Sequence, residues 1–437
     1  DASNPAFRDW YRRGFDEALA LAARVDSYAG YFFAIQRYMT GFQDGHLGAL
    51  VDDRFDSGVR LRRQWPGFLV GLDRGAYRVV ETAAGGPPAG SRLEGCDGRD
   101  AEALENEILA PYFPLWTVRG ARARSAPFLL IDEGNPFVRR PAECTFEADG
   151  RRVRVRLAWA PVASEALAPR VRAAQGRFEA PTEIRRFGDN GWWLALPTFN
   201  AGDEAVAVAL VRIIETIERR PADFRDAGTI VIDVRGNMGG SSEFGDRIAR
   251  ALWGAPFIDS LPSARAVDWR VSRLNVRQIA LTNLPRLVSA FGENDPRTTA
   301  YAAFARTMRA ALDRGDAFHH DPTTPQPAPQ PAAPVRARIF FLTDGWCGSA
   351  CLDFADRVLA APGVVHVGAE TSADTIYIDN TAAWLPSGEG LLGWSMKVFR
   401  GRPRGHNQSY VPRHVWQGSM ADTAELERWI AGLARGG

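Results

Sequence analysis

The chain has 437 residues, 46% of them hydrophobic and 24% charged, with 53 Lys and Arg against 52 Asp and Glu and a formal net charge of +1. A length of this order accommodates two or three domains of about 150 residues each, and the near-neutral balance gives no electrostatic reason to expect nucleic acid as a partner. No run approaches the roughly 18–20 apolar residues that span a bilayer, so stable membrane insertion is not expected.

The sequence opens DASNPAFRDW, without an initiator Met or a basic-then-apolar leader. A mature form that has lost a secretory signal is the expectation, and with it a periplasmic or secreted location. Residues 1–58 form an N-terminal helical region: Phe15, Ala18, Leu19, Ala22, Val25, Tyr28, Phe32 and Ile35 recur at turn-like intervals. The region closes on FQDGHLGAL, where Asp44 and Gly45 make a turn that presents His46, one of six histidines in the chain. A lone histidine beside a loop is ordinarily a surface or packing residue.

Residues 60–175 read as strand-rich. Two apolar runs flank DRG in PGFLVGLDRGAYRVVETA, and CTFEADGRRVRVRLAWAPV alternates around an Asp-Gly hairpin signal. A small inserted module fits this pattern, of the kind that captures peptide ends by adding a strand. From residue 185 a second large unit begins, running to 437 and entered by NGWWLALPTF. The strand at 229–234 runs into the Gly-rich turn RGNMGG and then a helix, the grammar of a helix-covered sheet. That turn lacks both GxxxxGK[ST] and GxGxxG, so nucleotide binding gains little support. Residues 321–334, DPTTPQPAPQPAAP, form an extended Pro-rich linker. The adjacent His319 and His320 lack a nearby third metal ligand and read as surface residues.

The linker precedes RIFFLTDGWCGSACLDFADRVLAAPG. Its apolar run 339–342 is a buried strand, and 352–360 has helical spacing. Between them a Gly-flanked junction puts Ser349 at a helix start, where free backbone N–H groups can stabilise negative charge. The same shape also serves as an ordinary turn. Of the four cysteines, Cys347 and Cys351 flank this serine, while Cys96 and Cys144 lie in the strand-rich region. Two disulfides, Cys96 with Cys144 and Cys347 with Cys351, suit an oxidising compartment, and four buried thiols are the alternative. At the Ser349 turn a disulfide staple ranks above packed thiols, and redox chemistry a distant third.

In chain order, these segments resemble the S41 family of serine peptidases, which includes C-terminal processing peptidases and the tricorn core protease. GTIVIDVRGNMGG is similar to the family strand and its Asp-x-Arg-x-Asn-x-Gly-Gly turn, and DGWCGSACLDFADRVLAAPGVVHVGAET to the nucleophile helix and the strand after it. LPSG and NQSYVP resemble the final strands, and PPAGSRLEGCDGR the second half of a PDZ domain. The likeness extends over residues 30–415. It implies an α/β core of the S41 peptidase (ClpP/crotonase-like) type, with an N-terminal helical region and an inserted PDZ-like module.

By the same resemblance Ser349 is the nucleophile. Where relatives continue Ser-Ala-Ser-Glu, this chain has Ser349-Ala350-Cys351-Leu352. Ser/Lys members place a lysine 25 residues on; here that position is Asp374, and the only lysine is Lys397. The histidine branch of the family carries an Asp-x-His-x-Gly segment, matched by DGHLG, which implies His46 as the base. Its orienting partner lies near the terminal segment, where His406 stands at the family's glutamate; Asn407 is the preferred orienter, with Asp344, Glu370 and Asp374 as alternatives. The resemblance further implies an oxyanion hole built from the Gly239-Gly240 turn and Ala350. Asp233, Arg235 and Asn237 are expected to hold that turn rather than to react.

The expected activity is peptide-bond hydrolysis through a Ser-His acyl-enzyme, on a protein or peptide recognised by way of its C-terminus, with no metal or organic cofactor. The alternatives are a non-catalytic peptide-binding protein on a peptidase scaffold and a hydrolase of a non-peptide ester or amide.

Overall fold

The computed structural model describes residues 5–50, 61–83, 86–322 and 327–436. The expected helical region extends beyond these limits at 1–4 and 51–58, and the Pro-rich linker at 323–326.

The unit entered at residue 183 is built on a six-stranded sheet ordered Glu183–Arg186, Gly191–Ala195, Thr229–Asp233, Arg338–Thr343, Val364–Gly368 and His414–Val415. The first pair is antiparallel and every later pair parallel. Side chains alternate between faces along each strand. Ile230, Ile232, Ile339 and Phe341 face helices Glu204–Arg219, Ser242–Trp253 and Ala350–Val358, whose Leu210, Ile214, Ile248 and Phe354 complete one core. Val231, Phe340, Leu342 and Val367 face the other way, onto Leu426 and Ile430 of the closing helix Thr423–Arg435. Covering on both faces explains why these strands read as continuous apolar runs.

A second sheet carries the N-terminal region into this unit. The long strand Leu391–Arg400 pairs with Tyr377–Trp384, with Ala266–Arg270 and, at Leu391, Leu392 and Gly393, with the short strand Gly48–Leu50. The helices Pro5–Ala22 and Tyr28–Thr40 precede it. The buried face of the first helix is not the one its spacing predicts: Phe15 and Leu19 are exposed, and Trp10 is buried instead. Its indole N–H donates to Tyr38 O at 2.8 Å and the ring lies against Gly41, so one large aromatic contact outweighs the aliphatic stripe.

Residues 68–156 hold an antiparallel sheet ordered Phe68–Asp73, Ala76–Thr82, Arg92–Cys96, Glu143–Ala148 and Arg151–Arg156. Both hairpins seen in the sequence form, turning at Arg74-Gly75 and Asp149-Gly150 with positive φ at all four residues. Two-residue turns of this hand match the strand twist. Cys96 and Cys144 pair across neighbouring strands and form a disulfide; a second disulfide joins Cys347 to Cys351, at the start of helix Ala350–Val358. The first residues of the predicted linker belong to the strand Phe318–Pro322, paired with Ala266–Arg270, and Ala333 N–H donates to Trp253 O. His320 pairs with Asp268 at 2.6 Å, and the described residues contain no group of His, Cys, Asp or Glu suited to a metal. No described helix is long and apolar enough to cross a membrane.

Candidate active site

The two turns that build the site leave the carboxyl ends of adjacent parallel strands, the usual place for a site in such a sheet. The turn after Thr229–Asp233 is held by a buried network. Arg235 pairs with Asp233 through Nε and Nη2, at 2.9 and 2.6 Å, and donates through Nη1 to Met420 O at 2.6 Å. Asn237 donates to Leu196 O and accepts from Gly239 N–H at 2.8 Å. Through these bonds Asp233, Arg235 and Asn237 hold the turn in place.

Asp344 ties this turn to the second one. Fully buried, it accepts from the N–H of Gly236 and of Trp346, each at 2.9 Å. Burial pushes its carboxyl up to about 6, against the pull of those two donors. Gly348 N–H then donates to Asn237 O, and the chain enters helix Ala350–Val358 through Ser349. Ser349 has φ 53° and ψ −124°, a conformation rarely adopted by a residue with a Cβ. Such strain persists only where neighbours enforce it, and it marks functional turns. Here the Cys347–Cys351 disulfide brackets the strained residue.

Opposite Ser349 lies Gly239, with φ +99°. A Cβ built there would stand 2.8 Å from Ala350 N and 2.9 Å from Ser349 Cβ, so the missing side chain is what opens the space before the Ala350 amide. Among the described residues nothing accepts from the N–H of Ala350 or of Gly240. Gly239 differs from the expectation that it donates, because its N–H is engaged by Asn237 Oδ1. It supplies room instead of a hydrogen bond.

His46 reaches this point from the far end of the chain because strand Gly48–Leu50 is pinned to Leu391–Arg400. His46 and Ser349 line one cavity of ≈ 470 Å³, with Arg124, Met238, Trp346, Ser372 and Asp374 among its walls. No hydrogen bond joins the ring to the serine hydroxyl in this arrangement. Apo sites commonly hold such pairs loosely. Asp44 accepts from the backbone N–H of His46 at 2.9 Å and places Oδ1 3.7 Å from ring Nδ1. Burial raises the Asp44 carboxyl, opposed by His46 and the Thr375 hydroxyl.

The expected bond from Asn407 to the ring is not formed. Asn407 Nδ2 donates to Gln43 O at 2.9 Å, next to Asp44, while its buried Oδ1 and His46 Nδ1 both lack hydrogen-bond partners among the described residues. Of the alternative orienters, Glu370 accepts from Ser409, and Asp374 Oδ1 is shared by Arg402 and Arg404 while its buried Oδ2 lacks a partner among the described residues; neither bonds the His46 ring. His406 packs its ring on Phe7 and Tyr377. Lys397 pairs with Asp379 at 2.6 Å and is not part of the Ser349 cavity. Sequence reasoning treated Asp44 only as a turn former, although its place two residues before His46 is the spacing of an Asx turn. Arg124 gave no signal, being one of several arginines in RGARARSAP.

No family model matches the sequence, and no curated sequence does. Solved structures do. Mature CPAF superposes with a TM-score of 0.59 at 14% identity, covering 99% of this chain and 95% of that one. Its complex with lactacystin gives 0.59 at 15% identity, over 97% and 93% of the two chains. A serine-to-alanine mutant of CPAF gives 0.58 at 12% identity, over 97% and 92%. At such identities the likeness establishes a shared fold over nearly the whole length of both chains.

Proposed function

We propose that this chain is a serine peptidase of the S41 type that cleaves peptide bonds through a Ser349–His46 acyl-enzyme. The observation that carries the reading is the delivery of His46, from 303 positions away in sequence, into the cavity where a conformationally strained Ser349 opens a helix. The motifs in family order and the CPAF fold support it.

In this mechanism His46 takes the Ser349 proton as Oγ attacks the scissile carbonyl. The developing oxyanion accepts from the N–H of Ala350 and of Gly240, in the space that Gly239 leaves open. The imidazolium then protonates the leaving amine, and the neutral ring activates water for deacylation. Asp44, with Oδ1 3.7 Å from Nδ1, is the first acceptor for the ring Nδ1–H, and Asn407 Oδ1, free of other partners among the described residues, is the second, engaged when the cleft tightens. Asp374 occupies the position of the lysine in Ser/Lys enzymes and is already paired with Arg402 and Arg404, which favours the histidine mechanism.

The antiparallel unit at 68–156 acts as a PDZ-like module that captures an extended peptide or its C-terminus, and the α/β unit is the ClpP/crotonase-like core. The two disulfides fit a periplasmic or secreted location. A peptide-binding protein that has lost catalysis is the second reading, favoured by the absent hydrogen bond between His46 and Ser349. Labelling with a fluorophosphonate decides: covalent modification of Ser349, lost in Ser349→Ala and His46→Ala, is expected of the peptidase. Absence of labelling with peptide hydrolysis undetected across pH 5–9 would leave the binding reading.

A further inference from the structure

The wall of the Ser349 cavity carries a cation, Arg124, that forms no ion pair among the described residues. Arg124 comes from the short helix Arg119–Ser125, outside the α/β unit. That helix approaches the nucleophile turn closely because Gly120 meets the backbone of Gly345, where a Cβ would stand 2.7 Å from the carbonyl oxygen. Arg124 donates to Gly345 O and, at 3.1 Å, to Ser372 Oγ, and its guanidinium lies 5.4 Å from the Trp346 ring centre. It forms no ion pair with any described residue. Burial depresses its pKa to about 10, with the charge of Asp344 pulling the other way.

Other charges around the cavity do not cancel it. Asp374 shares the wall; its Oδ1 is held by Arg402 and Arg404, and its buried Oδ2, which lacks a hydrogen-bond partner among the described residues, forms no ion pair with Arg124. Asp344, buried beside the turn, has both oxygens occupied by backbone donors and forms no ion pair with Arg124. Arg177 adds a second guanidinium 5.1 Å from the same Trp346 ring. Arg124 and Trp346 also line a neighbouring cavity of ≈ 570 Å³, whose walls include Asp344 and Asp73. A half-buried, unpaired guanidinium facing a cleft is an incomplete ion pair.

We propose that Arg124 receives a carboxylate of the bound peptide and makes the protein selective for acidic substrates at the Ser349 cleft. The carboxylate is either an Asp or Glu side chain near the scissile bond or the free C-terminus a few residues beyond it. Gly345 O and Ser372 Oγ fix the guanidinium in place, leaving its remaining donors for the ligand. This inference rests on the peptidase reading for its substrate, while the recognition itself is independent of turnover.

The test begins with wild-type protein, whose cleavages in a proteome-derived peptide library are mapped by mass spectrometry. Enrichment of Asp and Glu at one position near the cut is expected, or a fixed distance to a free C-terminus that amidation abolishes. Matched Glu and Gln peptides, or acid and amide termini, should then differ in kcat/KM by about 10-fold to 100-fold, the range of a charge-assisted hydrogen bond. Arg124→Met should bring that ratio to within about twofold, and Arg124→Lys should restore part of it, with fluorophosphonate labelling of Ser349 retained in both. Equal rates for the paired peptides in the wild type would overturn the proposal whether or not the variants fold. So would a ratio that survives in a labelled Arg124→Met protein. If the wild type labels but ignores the carboxylate, only this inference fails. If nothing labels, calorimetric binding of the same pairs still decides it, equal affinities refuting it.

Discussion

Gly239→Ala isolates the oxyanion space from the rest of the turn. The new methyl would sit 2.8 Å from Ala350 N, 2.9 Å from Gly348 O and 2.9 Å from Ser349 Cβ, all on the backbone or at the root of a side chain. Nothing there is the free end of a flexible group, so relief requires the nucleophile turn to move. A side chain at φ +99° adds strain of about 1–3 kcal/mol. Chemically the methyl occupies the approach to the Ala350 amide, and losing one well-aimed donor costs about 2.7–4 kcal/mol, a fall of 10²–10³ in kcat. The assay is steady-state hydrolysis of a quenched peptide, with urea unfolding of the same samples. Gly240→Ala is the companion variant: its methyl would meet Phe199 O at 2.1 Å, and because Gly240 N–H is the second proposed donor the change should lower both stability and kcat. A folded Gly239→Ala protein with kcat within threefold of wild type would refute the placement of the oxyanion hole.

Asp44→Ala is expected to lower kcat by about 10-fold to 100-fold with little change in KM, since ring orientation acts on the transition state, and Asn407→Ala to cost less; the reverse order, read from kcat of both, would make Asn407 the orienter. The two disulfides should separate under reduction. Opening the Cys96–Cys144 loop, with a separation of 48, costs roughly 4 kcal/mol, whereas the separation of 4 at Cys347–Cys351 gives only about 2. Cys96→Ala/Cys144→Ala should therefore show the larger fall in denaturant midpoint, and Cys347→Ala/Cys351→Ala the larger fall in kcat; equal kcat in the two double variants would argue against the staple. His366 supplies a pH test. Burial beside Phe341 holds its pKa down to about 4, so the folded chain binds fewer protons than the unfolded chain between pH 6.5 and 4. Its contribution is present above that window and is lost as pH falls through it, by about 3 kcal/mol. The stability of His366→Gln relative to wild type should improve by that order between pH 7 and 4, and a difference independent of pH would show that the ring is not held neutral.

What the sequence reveals and what it hides follow from the range of the interactions involved. The strands and the Ser349 helix are local patterns: alternation, apolar runs and a Gly-flanked junction are written in consecutive residues. The hairpins at Arg74-Gly75 and Asp149-Gly150 are equally local, because positive φ at two successive positions is a property of the dipeptide. Trp10 shows where this reasoning stops. The helical period predicted which residues share a face, but the face chosen depends on Gly41, 31 positions away, leaving room for an indole.

The site divides along the same line. Ser349 announces itself through its turn, and the Asp233–Asn237 network through its motif spacing. The base ring's partner is different in kind, since an orienter needs only an acceptor oxygen within reach of Nδ1, and any loop can bring one. Asp44 brings an oxygen to 3.7 Å from Nδ1 from two residues away, and Asn407, from the other end of the chain, is attached to the same segment through Gln43 O without bonding the ring. Such redundancy leaves no fixed sequence interval to recognise. Arg124 lies further still from a readable pattern: its proposed role depends on a charge without an ion pair among the described residues, which becomes visible only once the partners of the neighbouring carboxylates have been traced through the fold.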